Sequence, residues 1–314
     1  MKKALLLLFV VAVVGLMALA STFRAVTLPV PEGPEVAVAA PPAPPPVRLS
    51  VLHAGRMFSA AAMAFRGGAF NDERIFGMDA VLIEHPQGSL LIDSGFGEDV
   101  AAHFATTPML MQKVSRYEEE IPVAQQLRAA GRDPGDLLGV ILTHAHWDHV
   151  SGLADLPGVP VWVPQAEHDF IHTGDPATAL ARNLAGSIEW QIYAFDDGPF
   201  LGFDRSLDVF DDGSVVLVPS GGHTPGSVIV FVSLPEGQRY GFVGDLVWQA
   251  EGITLPAERP WMTRRLVDVR ADVVSERIVQ LHRLAQQMPE LTLVPAHDRR
   301  VMATLPALAP AAAP

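Results

Sequence analysis

The chain has 314 residues, 49% of them apolar and 18% charged, enough to bury a substantial core in one large domain or two small ones. Its 22 Lys and Arg against 35 Asp and Glu leave a formal charge of −13, which repels phosphate backbones and counts against a nucleic-acid partner. The absence of cysteine excludes a disulfide framework, thiolate ligands and a lipid-modified N-terminal cysteine.

Lys2 and Lys3 precede an unbroken apolar run over 4–20, and Ala18-Leu19-Ala20 supplies small residues ahead of Ser21. That pattern reads as a secretory signal over 1–20. An uncleaved anchor is the rival reading, because 17 apolar residues stand at the short limit for a membrane span. Either reading places the remainder outside the cytoplasm, periplasmic or secreted, with membrane contact only through that segment. Residues 21–46 are Pro- and Ala-rich and favour extended polyproline II, a stiff spacer or a solvated leader. The folded unit is expected over 47–305, and 306–314 reads as a disordered Ala/Pro tail.

Within that unit, 80–84 and 89–93 read as strands joined by the turn His85-Pro86-Gln87-Gly88. A short helix is expected over 122–130, with Pro near its start and Gly131 just past its end. Apolar runs at 137–142, 159–163, 215–219, 227–233, 240–243 and 291–295 continue the strand series. Residues 270–287 form an amphipathic helix with Val273, Val274, Ile278, Leu281 and Leu284 on one face. Hairpins mixed with helices point to a layered α/β architecture with mixed sheets.

The richest segment is Thr143-His144-Ala145-His146-Trp147-Asp148-His149, at the end of an apolar strand. In extended backbone, residues i and i+2 face one side, so His144 and His146 can converge on one ion. Asp148 and His149 follow where the chain turns toward a helix and can face a neighbouring ion. Imidazole and carboxylate are ligands that zinc and similar ions prefer. One histidine alone is ordinarily a satisfied side chain; three with an aspartate at a strand end are not. Three later residues also emerge where strands enter loops: His223 after Ser220-Gly221-Gly222, Asp245 after Phe242-Val243-Gly244, and His297 after Leu293-Val294-Pro295-Ala296.

These motifs, in this order, resemble the metallo-β-lactamase superfamily over nearly all of the folded unit. The resemblance implies an α/β, four-layer αβ/βα sandwich with the site at one edge of two mixed sheets. It implies that His144, His146 and His223 bind one metal, that Asp148, His149 and His297 bind the second, and that Asp245 bridges both. Asp93, in Leu91-Ile92-Asp93-Ser94-Gly95, matches the family's early aspartate, which orients a ligand histidine. Two divalent ions follow, zinc foremost, with iron, manganese or cobalt as alternatives. A water held between such ions loses a proton near neutral pH and becomes the nucleophile, so no serine nucleophile is expected. Asp148 and Asp245 are the expected catalytic carboxylates.

True zinc β-lactamases of this family use a cysteine in the second site or lack the bridging aspartate, so antibiotic hydrolysis is not expected. Asp245 follows His223 by 22 residues, and His297 follows Asp245 by 52, a long last interval resembling the N-acyl homoserine lactone lactonase and methyl parathion hydrolase-like group. The expectation is hydrolysis of a small ester, a lactone first. The alternatives are a glyoxalase II-like thioesterase or a phosphotriesterase; a nuclease or a non-catalytic metal-binding protein fits less well. Lactonases commonly carry tyrosine three residues after the bridging aspartate; here that position is Trp248, an indole that donates but cannot act as an acid. Phe58, Phe70 and Trp248 are candidate pocket residues, and the aromatic-rich stretch 55–76 reads either as an apolar lid or as packing for the first sheet.

Overall fold

The computed structural model describes residues 2–32 and 45–311. Twelve strands fall into a seven-stranded and a five-stranded sheet. In chain order they are β1 (Arg48–Ala60), β2 (Glu73–His85), β3 (Gly88–Ile92), β4 (Arg116–Glu119), β5 (Leu137–Ile141), β6 (Val161–Pro164), β7 (Trp190–Tyr193), β8 (Leu207–Asp208), β9 (Val215–Pro219), β10 (Val228–Ser233), β11 (Arg239–Phe242) and β12 (Leu291–Val294). The first sheet runs β4-β1-β2-β3-β5-β6-β7 and the second β12-β11-β10-β9-β8. Both are mixed: β3, β5, β6 and β7 are mutually parallel, as are β11 and β12, and the other pairs are antiparallel.

Pleat alternation sorts the apolar residues into three cores. Val81, Ile83, Leu90 and Ile141 of the first sheet meet Leu217, Val228, Val230 and Phe242 of the second in a shared centre. The opposite faces of the same strands carry Leu82, Leu91 and Val140, which pack against Val123, Leu127 and Ile171 of flanking helices. On the far side, Val218, Ile229 and Phe231 meet Val274, Ile278, Leu281 and Leu284 of the helix Ala271–Gln287. Helix, sheet, sheet, helix gives the four-layer sandwich. Strands buried on both faces read as continuous apolar runs, which is why they were visible in the sequence.

The strand directions place the site. β3 and β5 run parallel, and β9, β11 and β12 share one direction across β10. Their C-terminal ends all open at one edge, and the backbone bond from Val228 N–H to the Thr143 carbonyl (2.9 Å) joins the two sheets there.

Of the two readings of residues 55–76, packing for the first sheet is the one the structure matches: β1 extends to Ala60, Met57, Phe65 and Phe76 are buried, and β2 begins at Glu73. The two chain ends depart from expectation. The tail expected to be disordered from 306 instead lies beside β1. Val51 N–H donates to the Pro306 carbonyl (2.8 Å) and Leu308 N–H to the Val51 carbonyl (3.1 Å), because β4 covers β1 only over Gly55–Phe58 and leaves that edge open. The end of that tail, 312–314, lies outside the described residues. The spacer over 21–46 docks onto the domain near its start: Gly67 N–H donates to the Phe23 carbonyl (3.0 Å) and Leu28 N–H to the Pro256 carbonyl (2.8 Å). Its proline-rich centre, 33–44, lies outside the described residues.

Candidate metal centre

All seven residues singled out as ligands meet at the common strand edge. His144, His146 and His223 present ligand atoms within 4.8 Å of one another, as do His144, His149 and Asp245, and Asp148, His149 and His297. The ring centroids of His144 lie 4.5, 4.1 and 4.6 Å from those of His146, His149 and His223. The backbone supplies the approach: Gly221 and Gly222 adopt φ of 60° and 88°, the left-handed region that lets His223 turn back over the strand end.

The hydrogen-bond partners fix which nitrogen each histidine offers. His149 Nδ1 donates to Asp93 Oδ2 (2.9 Å), His223 Nδ1 to Asp268 Oδ1 (3.0 Å), and His297 Nδ1 to the Gly77 carbonyl (2.8 Å). Thr143 Oγ1 donates to Asp93 Oδ2 (2.8 Å) and so accepts from His144 Nδ1 (3.2 Å). Four rings therefore turn an Nε2 lone pair toward one another. His146 is the exception and faces the centre with Nδ1, 3.0 Å from His223 Nε2. Buried at the focus, His144 Nε2 and His149 Nε2 have no hydrogen-bond partner. Asp245 Oδ1 lies 3.0 Å from His297 Nε2 and 3.4 Å from His149 Nε2, outside hydrogen-bonding geometry. Buried polar atoms left unpaired are costly, and converging lone pairs repel; a cation at the focus removes both penalties. The donor set fits divalent metal.

Electrostatics divide the five rings. Burial holds the His144 and His146 imidazoles well below their ordinary value, so they stay neutral and able to ligate. In the absence of a cation, burial pushes the His149 and His297 imidazoles down, but the Asp93, Asp148 and Asp245 carboxylates outweigh it and raise both, and their positive charge in turn holds Asp245 well below the usual carboxylate range; a bound cation would supply that charge in place of the two protons and free both Nε2 lone pairs. Asp148 is the most solvent-accessible carboxylate of the group, with 13% of its side chain exposed and Oδ2 3.4 Å from His297 Nε2.

Asp93 is placed as expected of an orienting group. Beyond His149, its carboxylate accepts from Thr143 N–H (2.7 Å), at a left-handed φ of 55° that a short polar side chain tolerates. Trp248 reaches the cluster through its N–H. Its Nε1 donates to Asp245 Oδ2 (2.7 Å), and the Arg259 guanidinium lies over its ring at 4.5 Å, so the indole N–H is engaged by a carboxylate of the cluster. The other two candidate pocket residues are not brought to the cluster by any contact. Phe58 lies beneath the Arg116 guanidinium (3.7 Å), and Phe70 packs at a tilt against Phe23 with centroids 5.0 Å apart.

Sequence reading missed Asp268, Arg259, Thr143 and Glu167. Asp268 accepts from both His223 and Arg259 (3.0 Å each), and Arg259 also donates to the Asp245 carbonyl. Burial pushes the Asp268 carboxyl up, and the Arg259 guanidinium reverses that and holds it below the usual range. Only Thr143, inside the histidine motif, carried a sequence signal.

Comparison with known proteins gives the same picture. Residues 76–297 match the model of the metallo-beta-lactamase superfamily. A probable metallo-hydrolase of Mycobacterium tuberculosis is 30% identical over 237 residues, 69% of this chain and 73% of that protein. The N-acyl homoserine lactonase AttM of Azorhizobium caulinodans is 30% identical over 163 residues, 49% of this chain and 59% of that protein's length. A solved N-acyl homoserine lactone hydrolase with N-hexanoyl-L-homoserine bound at its metal centre superposes with a TM-score of 0.65 at 16% identity, covering 83% of this chain and 98% of that one.

Proposed function

The chain belongs to the metallo-β-lactamase superfamily, and from that premise we propose that it is a binuclear metal-dependent hydrolase of small esters, lactones foremost. The observation that carries the reading is the gathering of five histidines, Asp148 and Asp245 into adjoining clusters, with His144 and His149 each shared between two of them. His144, His146 and His223 would hold one cation, Asp148, His149 and His297 the other, and Asp245 would lie between them. Bound divalent ions, zinc first among them, supply an activated water near neutral pH and polarise a carbonyl oxygen.

The residues do the rest. Asp245, gripped by Trp248 at one oxygen and by Arg259 through its backbone, holds its orientation as charge develops beside it. Asp148, partly open to solvent, is placed to carry a proton to the departing alkoxide as the ring C–O bond breaks. A lactone plus water then yields the open hydroxy acid. The AttM relatives, named as N-acyl homoserine lactonases, support lactones over thioesters and phosphotriesters. The absence of cysteine and the presence of Asp245 count against β-lactams.

The helix Lys2–Ser21, apolar with a mean hydropathy of 2.8 and no buried residue, supports export. The test is metal analysis with a substrate panel. Two ions per chain and turnover of lactones ahead of thioesters, phosphotriesters and β-lactams are expected. One ion or none overturns the binuclear reading, and no turnover with zinc, cobalt, manganese or iron overturns the hydrolase reading.

A further inference from the structure

A fully buried carboxylate lies outside the ligand set. Glu167, on the first turn of the helix Gln165–Ile171, is 0% exposed, and no Lys, Arg or His side chain forms an ion pair with it among the described residues. Its Oε1 accepts from Ala145 N–H (2.7 Å), the residue between His144 and His146. Its Oε2 accepts from Thr224 Oγ1 (2.6 Å) and Gly226 N–H (3.0 Å), in the loop that follows His223. One carboxylate thus ties together the two loops that carry three histidines, one from the edge of each sheet. The loop is shaped for the contact: a Cβ on Gly226 would lie 2.2 Å from the Glu167 nitrogen and 2.5 Å from its Cβ. Burying an ionisable group without a countercharge is expensive, and three directed donors offset it.

We propose that Glu167 is a positioning residue that sets the His144–His146–His223 half of the centre, and that it leaves the Asp148–His149–His297 half to Asp93 and the Gly77 carbonyl. The proposal rests on the binuclear reading. Glu167→Gln keeps the size and puts an NH2 against an N–H or hydroxyl donor on one side of the clamp. Gly226→Ala forces the loop away from the helix while every donor and acceptor is retained.

The experiment loads the full-length protein with zinc and follows release to a chelator, ion by ion, with cobalt(II) absorption reporting the ligands of each site. In both variants one ion should leave at least tenfold faster than in the parent, as expected for loss of an orienting group. The other ion should be held as before, and the cobalt bands of the three-histidine site should change selectively. Thr224→Val, which removes one of the three bonds, should give a smaller shift in the same ion and carries the test if Glu167→Gln fails to fold. Parent-like release of both ions, or equal acceleration of both, overturns the proposal. A parent protein that binds fewer than two ions instead overturns the binuclear reading.

Discussion

Trp248 stands where the resemblance implies a tyrosine, and its indole is turned to Asp245. Its N–H holds Asp245 Oδ2 at 2.7 Å, while Phe76 and Arg259 pack the ring from two sides. A hydrogen bond to a charged acceptor contributes about 1.5–3 kcal/mol, and each ~1.4 kcal/mol of lost transition-state stabilisation is tenfold in rate. Trp248→Phe should therefore lower kcat/KM by at least about tenfold on a substrate the parent turns over, with Trp248→Tyr, which keeps a donor, losing less. Steady-state kinetics on the three proteins decides it; parent rates in the Phe variant would remove Trp248 from the support of Asp245. At this scale the legible residues were those with chemistry-bearing neighbours in the chain. His144, His146, Asp148 and His149 identify one another, and His223, Asp245 and His297 are exposed by the apolar strands before them. Asp268 and Arg259 gave no such signal. Asp268 lies 45 residues from His223, and only the fold shows that its side chain is buried against an imidazole.

Between elements, the sandwich is fastened beside the site by ion pairs. Glu251, on a short helix after Trp248, accepts from Arg74 of β2 (2.9 Å) and from Arg300 near the C-terminus (2.7 Å). Burial pushes this carboxyl up, but the hydrogen bonds from Arg300 and Arg74 outweigh it and hold Glu251 at about 2. A carboxylate lowered in the folded state stabilises it fully above the unfolded value of about 4.3, and that contribution fades as pH falls toward 2. Solvent screens the network, so the contribution is about 1 kcal/mol, or about 2–4 °C in Tm. Glu251→Gln should melt a few degrees below the parent at pH 7, with the gap closing toward pH 2; thermal scans across that range test it, and a gap independent of pH would remove the charge as its cause. The elements the sequence revealed are the doubly buried strands and the helix Ala271–Gln287. β1 was not among them, because His53, Gly55 and Arg56 break its alternation where the pairing register with β2 shifts. β4, polar and at the sheet edge, has no apolar signature at all.

For the molecule as a whole, the two chain ends complete the first sheet and its surroundings. The tail at 306–308 closes the stretch of β1 that β4 does not reach, and an uncovered strand edge invites pairing between chains. Ending the chain at Leu305 should lower Tm and produce concentration-dependent association, read by light scattering; a monomeric truncated protein of parent stability would contradict the edge role. Composition marked both ends as unfolded, since Ala and Pro carry no periodicity, yet a few backbone bonds suffice to dock them.

The docking at the front end also sets a distance. Ser21 closes the apolar helix, and its carbonyl already receives Arg66; two residues later Phe23 is bonded to Gly67. If that helix stays in a bilayer, the folded body has almost no leash: it rides close against the lipid headgroups in a restricted orientation.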